Sequence, residues 1–565
     1  MILQPIVNIA EICARKGIQD VILSPGSRCA PLTIAFVRHP LIQVKTVSDE
    51  RAAAFIALGI SLQKKIPVGL VCTSGSAAYN YSPAVAEAFY QQVPLLIFTA
   101  DRPPEWIDQL DGQTIRQRAI FGSHVKASLE LPVAYEHADA TWHIERLISE
   151  AINISSAYPY GPVHINIPLR EPFYPTANEE IHFDKEVKVI DSVAPQYTIA
   201  DNQLNQLKNE WCSFDKILLV AGQAQKDEEL TAALGNCMHQ QQTPCVADVI
   251  SNVYELSNGV RFHDIFLGRN IDDPEALKPD LLVTFGNSVI SKPLKQFLRK
   301  FRPKAHWHIQ PAGEAADTFQ SLTKVIHCQP AYFFNHLVEA KKQTATSYLD
   351  AWKKWDDTAE KWIMNWLPTA PFGEMKAIQQ VLDQLPHGVN LHLANSMAVR
   401  YVNILALKAT QVDVEVFANR GTSGIDGSNS TAVGSSFCST RLNILITGDM
   451  AFFYDRNAFW HNYPMPNLRI VLLNNKGGGI FNLIDGPSDL PEAPAYFVTK
   501  QALNAFNTCK DHGLTYLYCN REVDLAQLLQ EFFIDDGKSK VLEIETDQQI
   551  NKEIFKMYKS KNIAI

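Results

Sequence analysis

Apolar residues in this chain recur in short runs without polar interruption, each followed by a stretch with the apolar spacing of a helix. "DVILSP" (20–25), "PVGLVCTSG" (67–75), "PLLIFTADRP" (94–103) and "GPVHINIP" (161–168) come first. "KILLVAG" (216–222) and "DLLVTFG" (280–286) follow, then "LNILITGD" (442–449) and "RIVLLNN" (469–475). Strict alternation would mark strands with one wet face. Continuous runs mark strands buried on both faces, the condition of parallel sheets sandwiched by helices. The prediction is an α/β protein: three α/β domains with parallel sheets flanked by helices. Several runs end in Gly, Ser, Thr, Asp or Asn, and in such sheets the loops at strand carboxyl ends bind ligands.

The breaks in this pattern suggest boundaries. "PLREPFYPTANEE" (168–180) is proline-rich and polar and reads as a linker closing a first domain, 1–180. A second domain covers 190–340. The charged, aromatic, helical segment that starts "KKQTATSYLDAWKKWDDTAEKW" forms a connection over 341–370, and a third domain covers 371–565. Domains of about 150–200 residues are of ordinary size.

Composition narrows the function. With 565 residues, 46% hydrophobic and 20% charged, the chain is long enough for several cores. A net charge of −9 disfavours nucleic acid as a partner. Any anionic substrate must then be met by locally placed Arg and Lys. The ten cysteines (Cys13, Cys29, Cys72, Cys212, Cys237, Cys245, Cys328, Cys438, Cys509, Cys519) form no CxxC pair. Neither a zinc site nor a redox pair is indicated, and free thiols in a reducing cytoplasm are expected. The start, "MILQPIVNIAEICARKG", reads as a first helix with Glu11 in an amphipathic pattern, not as a signal peptide. No window of eighteen uninterrupted apolar residues suggests a membrane span.

The chemistry concentrates in 448–482, "GDMAFFYDRNAFWHNYPMPNLRIVLLNNKGGGIFN". One strand delivers Asp449 just after Gly448, and a second ends in Asn474 and Asn475 before Gly477, Gly478 and Gly479. Magnesium takes oxygen ligands in an octahedron, often a carboxylate or amide together with phosphates and water. An Asp and an Asn at neighbouring strand ends, with a glycine carbonyl, supply one face of that octahedron. Taken singly, Asp449 also suits a helix cap and the glycines a loose turn; order and spacing together favour the ligand set. A second stretch, "TVSDERAAAFIALGI" (46–60), sets Asp49 and Glu50 at the mouth of an apolar helix. Ser48 or Asp49 suffices as cap. Phe55, Leu58, Gly59 and Leu62 make the packed face.

Gly448-Asp449 followed by Asn474-Asn475 resembles the GDG…NN thiamine diphosphate signature of the pyruvate decarboxylase and acetohydroxyacid synthase superfamily, with Met450 in place of the third glycine. The resemblance implies a pyrimidine-binding, a central and a diphosphate-binding domain in that order. It also implies Asp449, Asn475 and the Gly477 carbonyl on magnesium, or manganese in its place. "SPGSRCAPLT" (24–33), "TADRPPEWID" (99–108), "NSMAVR" (395–400) and "NRGTSGIDGSNSTAVG" (419–434) are similar to the menaquinone-biosynthesis branch of this superfamily over essentially the whole chain. That branch decarboxylates 2-oxoglutarate and adds the remaining four-carbon unit to isochorismate in a 1,4-addition. The resemblance makes Glu50 the catalytic partner of the aminopyrimidine N1′, leaving Asp49 to the helix. It places Ile425 under the bent cofactor, with Gly448, Ser396 and Ile480 also on cofactor. Ser396, Arg400 and Arg420 would hold the part derived from 2-oxoglutarate. Ser27, Arg28, Arg102, Gln113 and Lys292 would face isochorismate, with Ile480 and Phe481 as apolar walls. Both substrates are dicarboxylates, for which guanidinium groups are apt.

Gln117 competes with Gln113 in "LDGQTIRQ". His124, His164 and His392 are read as structural, since no protein nucleophile is required. The superfamily builds its site between subunits, so a homodimer or homotetramer is implied, in the cytoplasm. The alternatives are a thiamine enzyme acting on pyruvate, whose single carboxylate leaves the arginine set unexplained, and a non-catalytic relative. Loss of Glu50, Asp449 or Asn475 would mark the latter, and all three are intact. No dinucleotide fingerprint occurs between 215 and 340 to support a flavin-binding central domain.

Overall fold

The computed structural model describes residues 3–560 except 172, 176–178, 270, 341–345, 409–410, 412, 484–485 and 488–489. Parts of the two predicted linkers, 172 and 176–178 in one and 341–345 in the other, lie outside the described residues.

Three six-stranded sheets follow one another along the chain. The first contains β1 (Asp20–Leu23), β2 (Gln43–Thr46), β3 (Val68–Cys72), β4 (Leu95–Asp101), β5 (Ala127–Glu130) and β6 (Val163–Pro168), in the order β2-β1-β3-β4-β6-β5. The second contains β7 (Ile217–Ala221), β8 (Cys245–Ala247), β9 (Gly259–Val260), β10 (Leu281–Phe285), β11 (Ala305–Gln310) and β12 (Lys324–His327), ordered β12-β11-β10-β7-β8-β9. The third contains β13 (Asn390–Leu393), β14 (Glu415–Phe417), β15 (Asn443–Gly448), β16 (Leu468–Asn474), β17 (Thr515–Cys519) and β18 (Lys540–Glu545), ordered β14-β13-β15-β16-β18-β17. Pairing is parallel, with Val21 opposite Gly69 in the first sheet, Leu281 opposite Ile217 in the second and Arg469 opposite Lys540 in the third. This is the predicted α/β class. The eight apolar runs form β1, β3, β4, β6, β7, β10, β15 and β16, all interior to their sheets. Double-sided burial is what made them continuous.

The chain gathers into two compact units: 1–195 with 419–443 and 451–468, and 196–418 with 444–450 and 469–565. In the first unit Ile6, Ile9, Phe36, Phe98, Ile148 and Ile165 share one core. In the same unit the helix Glu50–Lys64 is buried from Ala52 to Leu62 and packs along the helix Ser428–Ser436. Their backbones meet at glycine: a Cβ on Gly59 would lie 2.1 Å from the Thr431 carbonyl oxygen, and one on Gly434 2.0 Å from that of Ile56. In the second unit Trp211, Leu219, Val283, Trp307 and Phe334 centre a core around the second sheet. All ten cysteines are free. Among the described residues no helix is long and apolar enough to cross a membrane.

Candidate active site

In the third sheet the strand order reverses between β13 and β15, the kind of switch point at which open parallel sheets bind ligands. Three adjacent strands each deliver a predicted residue beyond their carboxyl ends: β13 leads to Ser396, β15 to Asp449 and β16 to Asn475. Asp449 is buried and opens the helix Asp449–Tyr454. Its Oδ2 accepts the Gly477 N–H at 2.7 Å and Gln501 Nε2 at 2.8 Å, and its Oδ1 accepts the Met450 N–H at 2.8 Å. A carboxylate offers about four acceptor directions, so one remains open. Asn475 donates from Nδ2 to Glu374 Oε1 at 2.6 Å, while its Oδ1 accepts from Gln548 Nε2 at 3.2 Å. Gly477 sits at φ +153°, and a Cβ there would lie 2.8 Å from the Val498 carbonyl oxygen. Carboxylate, amide oxygen and backbone carbonyl form an all-oxygen donor set, which fits a hard divalent cation. No cluster of three His, Cys, Asp or Glu side chains suited to a metal occurs among the described residues. Any ion here would therefore use this mixed set. Burial raises the Asp449 pKa against the pull of its hydrogen bonds, and burial together with the Asp449 charge pushes Glu374 up to about 7.

Ser396 has φ 72° and ψ −128°, a conformation that costs a non-glycine residue about 1–3 kcal/mol. It precedes the helix Met397–Leu405, which carries Arg400, and the Arg400 guanidinium donates back to the Ser396 carbonyl. Ile480 and Phe481 lie half-buried in the turn Gly479–Asn482, with the Phe481 ring 5.7 Å from that of Phe497. Gly448 ends β15 with open space at its α-carbon. Lys292 is exposed at the start of the helix Lys292–Lys300, after β10.

The first unit holds the other predicted residues. Here the order reverses between β1 and β3, and Ser27 and Arg28 follow β1. Ser27 is exposed; Arg28 is buried, donates to the Leu169 carbonyl at 2.7 Å and lies 4.6 Å over the Phe173 ring. Arg102 follows β4, donates to the Gly112 carbonyl at 2.8 Å and pairs with Asp111 at 3.2 Å. Burial and the nearby Arg102 charge lower the Arg28 pKa. Gln113 is exposed at φ 58°, whereas Gln117 is buried, accepts the Gly75 N–H at 2.8 Å and donates to the Ala100 carbonyl at 3.1 Å. Gln117 is thus used up as a brace.

The two acids at the helix mouth divide their contacts. Asp49 is the N-cap, accepting the Ala52 N–H at 3.1 Å and Asn457 Nδ2 at 2.7 Å. Glu50 is the first helical residue, and its Oε2 accepts Asn80 Nδ2 at 3.2 Å. Arg420 and Ile425 sit in the loop before the helix Ser428–Ser436, with Ile425 37% exposed. Glu87, buried, grips that loop: it accepts the Gly421 N–H, the Thr422 N–H and the Thr422 hydroxyl, each at 2.7 Å. Asn80, Glu87, Glu374, Gln501 and Gln548 went unread in the sequence because each lies far along the chain from the motif it serves. His164 is buried between Thr99 and Ser128 and pushed down to about 3, and His392 stacks on Phe417 at 4.9 Å.

Residues 8–120 match the family described as thiamine pyrophosphate enzyme, N-terminal TPP binding domain, and residues 193–393 the one described as middle domain of thiamine pyrophosphate. A 2-succinyl-5-enolpyruvyl-6-hydroxy-3-cyclohexene-1-carboxylate synthase from Cytophaga hutchinsonii is 48% identical over 99% of this chain and 98% of its own. The chain belongs to this synthase family of thiamine pyrophosphate enzymes. Synthases of the same name from Flavobacterium psychrophilum (38% identical; 98% of this chain, 97% of that one) and Porphyromonas gingivalis (35%; 97% and 96%) are similar over nearly their full lengths. Membership in the synthase family accounts for three parallel sheets in one chain, and it favours neither of the alternatives, the pyruvate enzyme and the non-catalytic relative.

Proposed function

We propose that the chain decarboxylates 2-oxoglutarate and joins the remaining four carbons to isochorismate by 1,4-addition, releasing carbon dioxide. The observation that carries this reading is the delivery of Ser396, Asp449 and Asn475 by three adjacent strands at a switch point, in a chain 48% identical to a synthase named for that product. Thiamine diphosphate, when bound, supplies the electron sink for loss of the carboxylate. Asp449 Oδ1, Asn475 Oδ1 and the Gly477 carbonyl would hold magnesium, or manganese, against its diphosphate. Glu50 would meet the aminopyrimidine N1′, its carboxylate held by Asn80 Nδ2 at 3.2 Å. Ile425, Gly448 and Ile480 would contact the cofactor.

Arg400 and Arg420, with Ser396, take the carboxylates of the 2-oxoglutarate-derived part; Ser27, Arg28, Arg102, Gln113 and Lys292 take isochorismate; Phe481 excludes water beside it. Each carboxylate–guanidinium contact contributes about 1.5–3 kcal/mol. In this reading 1–180 binds the pyrimidine, 190–340 is the central domain, 341–370 links, and 371–565 binds the diphosphate. The assembly is a homodimer or homotetramer with its sites at the subunit interface, in the cytoplasm, where ten unpaired thiols are at home.

A stoichiometric assay tests the reaction. One carbon dioxide should be released from 2-oxoglutarate for each isochorismate consumed, and only with thiamine diphosphate and a divalent ion present. Release that ignores isochorismate would overturn the synthase reading in favour of a simple decarboxylase.

A further inference from the structure

Asn475 presents a problem of orientation. An amide side chain has one oxygen and one NH2 of nearly equal size, and a cation accepts only the oxygen. The protein must therefore stop the amide from flipping. The neighbour that can do so is Glu374, first residue of the helix Glu374–Asp383 and 3% exposed. Its Oε1 lies 2.6 Å from Asn475 Nδ2. Glu374 Oε1 is the acceptor in this contact, so it is made by the NH2 end and turns Oδ1 the other way. On that other side Gln548 Nε2, a donor, meets Oδ1 at 3.2 Å, consistent with the same orientation.

Glu374 is itself held. Its backbone N–H donates to Asn551 Oδ1 at 2.9 Å, and the buried Tyr401 hydroxyl donates to its carboxylate. Tyr401 belongs to the helix Met397–Leu405, which also carries Arg400. Gly479 leaves room for the arrangement, since a Cβ there would lie 2.7 Å from Asn475 Nδ2. We infer that Glu374, braced by Tyr401, is a positioning residue that holds the Asn475 amide with its oxygen toward the divalent cation. This rests on the reading of Asn475 as a metal ligand. Partners that orient metal ligands typically change metal affinity 10–100-fold when removed.

The test measures manganese binding by electron paramagnetic resonance, in the presence of thiamine diphosphate and without substrate. Glu374→Ala should weaken manganese binding at least about 10-fold, while Glu374→Gln, which still offers an oxygen to Nδ2, stays within about threefold of the parent. Glu374→Asp, one methylene shorter, should fall between them and carries the test if the alanine variant does not fold. Asn475→Ala separates metal ligation by Asn475 from its positioning by Glu374. If the parent binds no manganese, or Asn475→Ala binds as well as the parent, the metal reading fails. If Asn475→Ala is weakened but folded Glu374→Ala or Glu374→Asp binds like the parent, the positioning role fails. A glutamine variant as weak as the alanine one would also overturn it, because charge and not orientation would then be at work.

Discussion

Replacing Gly434 with alanine drives a methyl group into the backbone of the helix that begins with Glu50. The added Cβ would lie 2.0 Å from the Ile56 carbonyl oxygen, 2.8 Å from its carbon and 3.0 Å from the Ile56 Cα. All three are backbone atoms, so no rotamer change relieves the contact. Ordinary contact begins at 3.4 Å, and the helices Glu50–Lys64 and Ser428–Ser436 must part by roughly 1.4 Å. Overpacking of this kind costs about 1–3 kcal/mol, and a rigid backbone belongs at the upper end. Alanine recovers about 1 kcal/mol of helix propensity, leaving a net loss of about 2 kcal/mol. Gly235, within the helix Glu228–Gln241, is the internal control: its Cβ would meet only the Leu256 Cδ2 methyl, at 3.3 Å. Gly235→Ala should be neutral or stabilising by up to about 1 kcal/mol. Urea unfolding of the two variants measures the difference, and thiamine diphosphate titration should show weaker cofactor binding for Gly434→Ala alone. Equal stability of the two variants would refute the close-crossing argument.

Glu50→Gln should retain cofactor binding by fluorescence titration yet lose turnover by about 10²–10⁴, the usual worth of a positioned proton-transfer group; unchanged turnover removes Glu50 from the reaction. Glu87→Ala should free the Gly421–Thr422 loop beside Arg420 and raise the KM for 2-oxoglutarate about 10-fold with little change in the KM for isochorismate, read from steady-state kinetics. Asp455 is buried, accepts the Ser430 N–H and hydroxyl, and is pushed up by burial from 3.8 to about 7. Between those values the folded chain binds more protons than the unfolded one, so this group's contribution is present at low pH and fades as pH rises toward 7. Asp455→Asn, which cannot titrate, should therefore gain stability relative to the parent between pH 5 and 8, by at most about 1.4 kcal/mol per pH unit up to pH 7; a pH-independent difference in unfolding free energy contradicts this.

Legibility in the sequence followed burial. The eight continuous runs were interior strands, and the edge strands β2, β5 and β12 escaped because they are half wet: "QVKT", "ASLE" and "KVIH" carry no unbroken apolar signal. Some interior strands were hidden differently. β11, "AHWHIQ", buries His306, and β18, "KVLEIE", buries Lys540 and Glu543, each satisfied by hydrogen bonds from elsewhere in the chain. Asp49 against Glu50 was resolvable because capping needs one acid and the structure assigns it to Asp49. Gln113 against Gln117 was not, since only the fold shows Gln117 spent on Gly75 and Ala100. Likewise, nothing local in "GEMKA" announces that Glu374 meets Asn475, about a hundred residues away.

A competition between substrates distinguishes the synthase from an enzyme acting on pyruvate. The purified chain, with thiamine diphosphate and magnesium, is given isochorismate together with equal 2-oxoglutarate and pyruvate, and all three are followed by chromatography. Isochorismate and 2-oxoglutarate should fall together, one for one, while pyruvate persists. Consumption of pyruvate with isochorismate untouched would contradict the synthase reading.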